Sequence, residues 1–140
     1  MKAVAYRQSL PINHPDALLD VDLPVPVATG RDLLVAVKAI SVNPVDTKVR
    51  QRAAPAEGEV KVLGWDAAGV VQAVGPEVTL FKPGDEVWYA GALGRTGSNA
   101  EWQLVDERIV GRKPANLDFA QAAALPLTAI TAWELLFDRL

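Results

Sequence analysis

"VLGWDAAGVVQAVG", residues 62 to 75, is the stretch on which the reading of the whole chain turns. Its second part, "AGVVQAVG" (68–75), is rich in valine and stops at Gly75-Pro76, so it reads as a strand ended by a turn. Gly64, Gly69 and Gly75 read as positions the backbone itself requires, by conformation or by close approach. Trp65-Asp66 sets a large ring beside a carboxylate directly after the first glycine. That pair is either a piece of core or part of a site.

Working outward, most of the chain reads as short strands between turns. "KAVAY" (2–6) opens as a strand, and "LDVDLPVPVATGRD" (19–32) runs extended until its prolines carry it into a loop. "LLVAVKAISV" (33–42) carries the strongest strand signal, with β-branched Val35, Val37, Ile40 and Val42. "FKPGDEVWYA" (81–90) places Pro83-Gly84 at the centre of a turn before another strand. "AEWQLVDERIV" (100–110) reads as a strand pair or one bent strand. A short helical turn is expected over 44–52, after Asn43-Pro44. "GALGRTGSNA" (91–100) is glycine-rich but lacks the strand–turn–helix setting of a dinucleotide fingerprint, and reads as a surface loop.

From residue 116 the pattern becomes helical. Asp118 followed by Gln121 has capping-box spacing, and Pro126 suits the first turn of a second helix. In that helix Leu127, Ile130, Trp133, Phe137 and Leu140 recur at steps of three and four, forming one apolar face that Leu136 widens. The sequence ends within this face, and the expectation is of a domain, residues 1–140, cut from something longer, with a nucleotide-binding domain to follow. The fold expected is mainly β with a few helices.

Composition narrows the function. The 140 residues are half hydrophobic and 22% charged, which is globular rather than disordered. A net charge of −3 without any basic run argues against nucleic acid as a ligand. The absence of cysteine excludes disulfides and thiolate zinc sites. No apolar run reaches membrane-spanning length and the N-terminus has no signal-peptide core, so the expected address is cytoplasmic and no membrane partner is expected. His14, the single histidine, lies between Asn13 and Pro15 with no acid, cysteine or serine partner recognisable, and reads as a solvated loop residue.

"SVNPVDTKVR" (41–50), "LGWDAAGVVQAVG" (63–75), "FKPGDEVW" (81–88), "AEWQLVDE" (100–107) and "AAALPLTAITAWELL" (122–136), in that order, resemble the N-terminal GroES-like catalytic domain of the medium-chain dehydrogenase/reductase superfamily. Within it the chain is similar to the quinone-oxidoreductase-like branch, often labelled zinc-binding alcohol dehydrogenases. The resemblance implies a partly open β-barrel followed by a Rossmann domain that carries the pyrophosphate turn. It also implies an NADP(H)-dependent reduction of a quinone or of an α,β-unsaturated carbonyl. The alternative is a stand-alone GroES-like β-barrel binding module, co-chaperonin-like and without catalysis, although no long mobile loop or ring-forming edge is recognisable. Zinc-dependent relatives carry Cys, His and Cys where this chain has Asn43, Trp65 and Leu127, so no zinc is expected.

The same resemblance suggests site residues, each with a plainer reading beside it. Asn43 is an amide near the nicotinamide and the substrate carbonyl, and also a natural turn starter before proline. Asp46 borders the cofactor or caps the short helix. Lys48 is a proton donor or a solvated surface lysine. Asn43 and Lys48 are the expected donors to a developing oxyanion. Thr131 reaches the nicotinamide carboxamide or bonds back to its own helix. Trp65 fills space beside the substrate or in the core, Asp66 supports its loop by hydrogen bonding, and Tyr89 is expected to line the cleft. An exposed helix face and an open barrel edge make a homodimer plausible.

Overall fold

The computed structural model describes all residues 1–140. Eight strands run as β1 (Lys2–Tyr6), β2 (Leu19–Asp22), β3 (Asp32–Ser41), β4 (Lys61–Val62), β5 (Asp66–Val74), β6 (Glu86–Tyr89), β7 (Trp102–Asp106) and β8 (Val110–Arg112). Three helices, α1 (Pro44–Arg52), α2 (Phe119–Ala123) and α3 (Pro126–Trp133), complete the chain. The strands form two open antiparallel sheets, β2-β1-β4 and β7-β3-β5-β6-β8, joined where Ala3 bridges Ala100.

β3 and β5 are the spine. Each is flanked by strands on both edges, and their register slips between Leu34 and Val35 and again between Val37 and Ala39. Such bulges bend a strand and raise its twist, which lets the five-stranded sheet curl over its own side chains. Alternation then sends Leu33, Val35, Val71, Val87, Tyr89 and Val105 into one core with Ala67. Each of the larger aliphatic side chains contributes about 1.5–3 kcal/mol of burial free energy. The small side chains of Ala68, Ala122 and Ala123 let α2 sit close against β5.

The helices start where the sequence says they should. Asp118 accepts from the Gln121 N–H at 2.7 Å while the Gln121 side chain accepts from the Asp118 N–H at 3.1 Å. Pro126 opens α3, but the expected helix does not run straight to the end: a π turn, Glu134–Asp138, takes over after Trp133. The apolar face expected there lies open, with the Trp133 and Phe137 rings 4.6 Å apart and tilted by 46°, both mostly exposed. Glycine-rich 91–100 is the expected surface loop over 91–96, where residues 92–94 and 96 are exposed, but not over 97–98. Ser98 is fully buried, and Gly97 lies so close to the Leu63 carbonyl that a side chain there would collide with it.

Candidate active site

Three separate pieces of chain meet at one carboxylate. β3 ends at Ser41 and the chain turns through Asn43 into α1. Pro44, with its fixed φ and missing N–H, suits the first helical position. The Asp46 carboxylate reaches back to accept from the Asn43 N–H at 2.8 Å, and the Asp46 N–H donates to the Asn43 carbonyl at 3.0 Å. The turn is therefore closed from both sides. At the other end of α1, the buried Tyr6 hydroxyl donates to the Ala53 carbonyl at 2.6 Å.

Asp66, the first residue of β5, is fully buried. One oxygen accepts from Asn43 Nδ2 at 2.9 Å, and the other accepts from the Leu127 N–H, at the start of α3, at 2.8 Å. The backbone carbonyl of Asp66 accepts from Ser98 Oγ at 3.3 Å. Burial pushes the Asp66 carboxyl above its ordinary value, and the nearby Asp46 charge adds to that; the Asn43 and Leu127 donors pull the other way. One Asp46 oxygen, Oδ1, is buried without a partner. Trp65 lies beneath this junction with Tyr6 and Leu63, against Val45, Val49 and Leu127, and its indole N–H is buried without a partner.

The expected site residues divide accordingly. Asn43, Asp46 and Asp66 form one hydrogen-bonded group, and beside it Leu127 packs against the cluster of Tyr6, Leu63 and Trp65. Both acceptors near the Asn43 amide nitrogen are oxygens, Asp66 Oδ2 at 2.9 Å and the Ser41 carbonyl at 3.5 Å. The donor expected of Asn43 is thus already engaged inside the protein. Lys48 is exposed on α1. Thr131 is exposed and its hydroxyl donates to the Leu127 carbonyl at 2.9 Å, a bond within its own helix. Tyr89 corrects the expectation of a cleft residue. It is 2% exposed, belongs to the main core, and donates to Gln103 Oε1 at 2.9 Å. Strand parity is the reason: Val87 and Tyr89 point inward, and Trp88, on the other face, is half-buried.

The role of Asp66 at the centre was underread. The signal available in sequence was a carboxylate inside an apolar run, which folding buries only with partners. The groove between β1, β3 and residues 98–101 is lined by none of Asn43, Asp46, Trp65, Asp66 and Leu127. It is therefore not the opening onto this site.

This pair of open antiparallel sheets is a GroES-like domain fold. The chain belongs to the alcohol dehydrogenase GroES-like domain family, whose model matches residues 29–115. A zinc-type alcohol dehydrogenase-like protein from Staphylococcus epidermidis is 44% identical over 138 residues, covering 99% of this chain and 40% of that protein. Among solved structures, a candidate zinc-dependent alcohol dehydrogenase from Rhizobium etli CFN 42 is 63% identical with a TM-score of 0.95, covering 99% of this chain and 40% of that one. Escherichia coli quinone oxidoreductase complexed with NADPH is 28% identical with a TM-score of 0.84, covering 99% and 41%. The chain spans about two-fifths of the length of these relatives.

Proposed function

We propose that residues 1–140 form the catalytic-domain part of an NADP(H)-dependent oxidoreductase that reduces quinones or α,β-unsaturated carbonyls without a catalytic zinc. The observation that carries this reading is the Asp66 junction. The positions matching the zinc ligands, Asn43, Trp65 and Leu127, are held together by N–H groups donating to one carboxylate and by packing. The donor set does not fit the metal. Leu127 offers no side-chain donor, an indole N–H cannot ligate, and no three of His, Cys, Asp and Glu lie close enough to hold an ion. The similarity to a quinone oxidoreductase complexed with NADPH supports the choice of cofactor and of substrate class.

When bound, the nicotinamide supplies the hydride, and its pyrophosphate is held by a nucleotide-binding domain outside these residues. The open face of Ile130, Trp133 and Phe137 is a surface against which such a domain would pack. Within this chain, Asn43 and Asp46 shape the cofactor side of the site, and Thr131 lies on the exposed face of α3. Trp65 supplies an apolar floor. With the Asn43 nitrogen engaged, Lys48, exposed on α1, is the donor in this chain that meets the developing oxyanion.

The test is the full-length protein assayed for NADPH consumption across a panel of quinones and enones, with zinc measured after dialysis. Turnover with zinc well below one per chain is expected. Lys48→Met should lower kcat by about 10²-fold, the scale seen when an oxyanion donor is lost. Stoichiometric zinc would overturn the metal-free reading, and undiminished turnover in Lys48→Met would move the donor role to water or to the other domain.

A further inference from the structure

We propose that the second half of β3 is a docking edge for one more strand, supplied by the same protein chain from beyond residue 140. The proposal needs a chain longer than these residues and is independent of the substrate and cofactor read above. β3 is 10 residues long, and β5 pairs with it from Leu33 to Ser41. On the opposite edge β7 pairs only with Asp32–Ala36. The Val37 N–H still donates to the Glu101 carbonyl at 3.0 Å, but from Lys38 to Ser41 no strand lies on that edge. In an antiparallel pair every second residue turns its N–H and C=O away from the partner. β3 therefore presents backbone donors and acceptors along this edge. The edge faces a groove: Val37–Ile40 form one wall, Lys2–Val4 of β1 form the other, and residues 98–101 complete the lining.

Strand edges that face water are commonly blunted by a charge, a proline or a bulge. β3 has such protection only where the open edge begins, with Lys38 in the register slip between Val37 and Ala39. No proline interrupts the strand, and beyond Lys38 the apolar Ile40 and Val42 are 40% and 69% exposed. Burial fades over the same half: Leu33 and Val35 are fully buried, while Val37 and Ala39 are half-buried. The shape of the groove selects the occupant. Two folded copies pair edge to edge where both edges stand free, whereas here β1 stands across the gap, which suits a single extended segment. Residues 1–140 all have their places in the fold, so none is left to fill it. The Staphylococcus epidermidis relative has about three-fifths of its length outside the matched region, and only five residues of it, about 17 Å of strand, would span Val37–Ser41. Ser41 ends β3 just before Asn43, so the added strand braces the turn that brings the Asn43 amide to Asp66.

The experiment uses the full-length protein throughout. Amide hydrogen exchange followed by NMR resolves Lys38–Ser41 residue by residue. Those of the four amides that point away from β5 should exchange at least about a hundredfold more slowly than in an unstructured peptide of the same sequence. Rates within about tenfold of that peptide would overturn the proposal. A photo-crosslinking benzoylphenylalanine in place of Lys38, which lines the groove, identifies the occupant. The expected product has monomer size, with its crosslink mapped beyond residue 140. A product of dimer size makes the occupant a second copy, and a crosslink confined to residues 1–140 leaves the edge without a docked strand; either result sinks the proposal. The exchange measurement needs no substitution, so it decides the matter even if the crosslinking variant fails to fold. Absence of all quinone and enone turnover would defeat the functional reading alone, because neither readout involves a substrate.

Discussion

Gly64 is the residue whose replacement tests most directly how the Trp65-Asp66 segment is held. Its φ is +109°, a conformation that side chains rarely adopt, and a Cβ there would stand 2.6 Å from Asn99 Oδ1 and 2.8 Å from the Asn99 nitrogen, and would collide with Ser98 Oγ. The collision cannot be relieved cheaply. Residues 97–99 are tied to this strand by the Ser98 N–H on the Gly64 carbonyl at 3.1 Å and the Asn99 N–H on the Leu63 carbonyl at 2.9 Å. In Gly64→Ala the strained φ costs about 1–3 kcal/mol and the overpacking about 1–3 kcal/mol more. For a domain of this size each kcal/mol moves the midpoint by about 3 °C, so the loss is about 6–18 °C. Gly58 separates the two contributions, because its φ is +82° and nothing lies within 4 Å of its would-be Cβ. Gly58→Ala carries the conformational part alone, about 3–9 °C. Gly94 has neither feature, and alanine there should be neutral or stabilising by about 0.4–1 kcal/mol. Thermal unfolding of the three variants, followed by circular dichroism, reads the ranking. If Gly64→Ala melted within about 2 °C of Gly58→Ala, the 97–99 segment would be yielding freely, and close packing would not be what holds Asp66 in place.

Other perturbations reach other parts of the fold. Tyr6→Phe leaves the Ala53 carbonyl without its 2.6 Å partner and should cost about 1–2 kcal/mol by urea titration, with the end of α1 loosening first in hydrogen exchange. Tyr89→Phe removes the bond to Gln103 and should cost about 1 kcal/mol, while substrate KM in the full-length protein stays unchanged because the ring lies in the core. Two buried carboxyls should give opposite pH trends in thermal melts. Burial raises the Asp66 carboxyl above 3.8, so its contribution is full below that pH and is lost as pH rises through the folded value; D66N should gain on the parent in that window. Burial pushes Glu107 up, but the Leu80 and Thr79 N–H groups and Arg31 more than offset it and hold the carboxyl below 4.5. Its contribution is present above that pH and lost as pH falls, so Glu107→Gln should lose less stability on acidification than the parent does.

Much of the fold could be read from the chain because its signals are local. β3 and β5 are marked by valine-rich runs and by the turn after Val74, α1 by Asn43-Pro44, and α2 by the spacing of Asp118 and Gln121. What escaped depends on partners distant in sequence. β4 is only Lys61–Val62, too short to announce itself, and exists because β1 lies beside it. Trp88 and Tyr89 sit side by side, and alternation says that they face opposite ways without saying which faces in. That is decided by Ala67, across from Tyr89 on β5, which belongs to the same core. Gly97 and Ser98 looked like loop because glycine and serine favour loops, whereas here they are the small residues that let two backbone segments touch.

The site was legible only by half, and the chemistry of its bonds explains why. Asn43 and Asp66 are 23 positions apart; the sequence marks Asn43 as a site residue and Asp66 only as a hydrogen-bonding support for its loop, and nothing in their spacing says that one donates to the other. The third participant is a backbone N–H, which every residue but proline owns, so Leu127 carries no trace of its part in its side chain. That asymmetry also says which side chains at this junction are free to vary. At 127 the side chain is free to pack against the cluster of Tyr6, Leu63 and Trp65 while the N–H holds Asp66. At 43 it is not free, because the donor to Asp66 is the side chain itself, and an apolar residue there would leave a fully buried carboxylate oxygen without a partner, a loss of about 1–3 kcal/mol or more. A side-chain donor at 43, with any residue but proline at 127, is therefore what a buried carboxylate at 66 requires once it is held by hydrogen bonds.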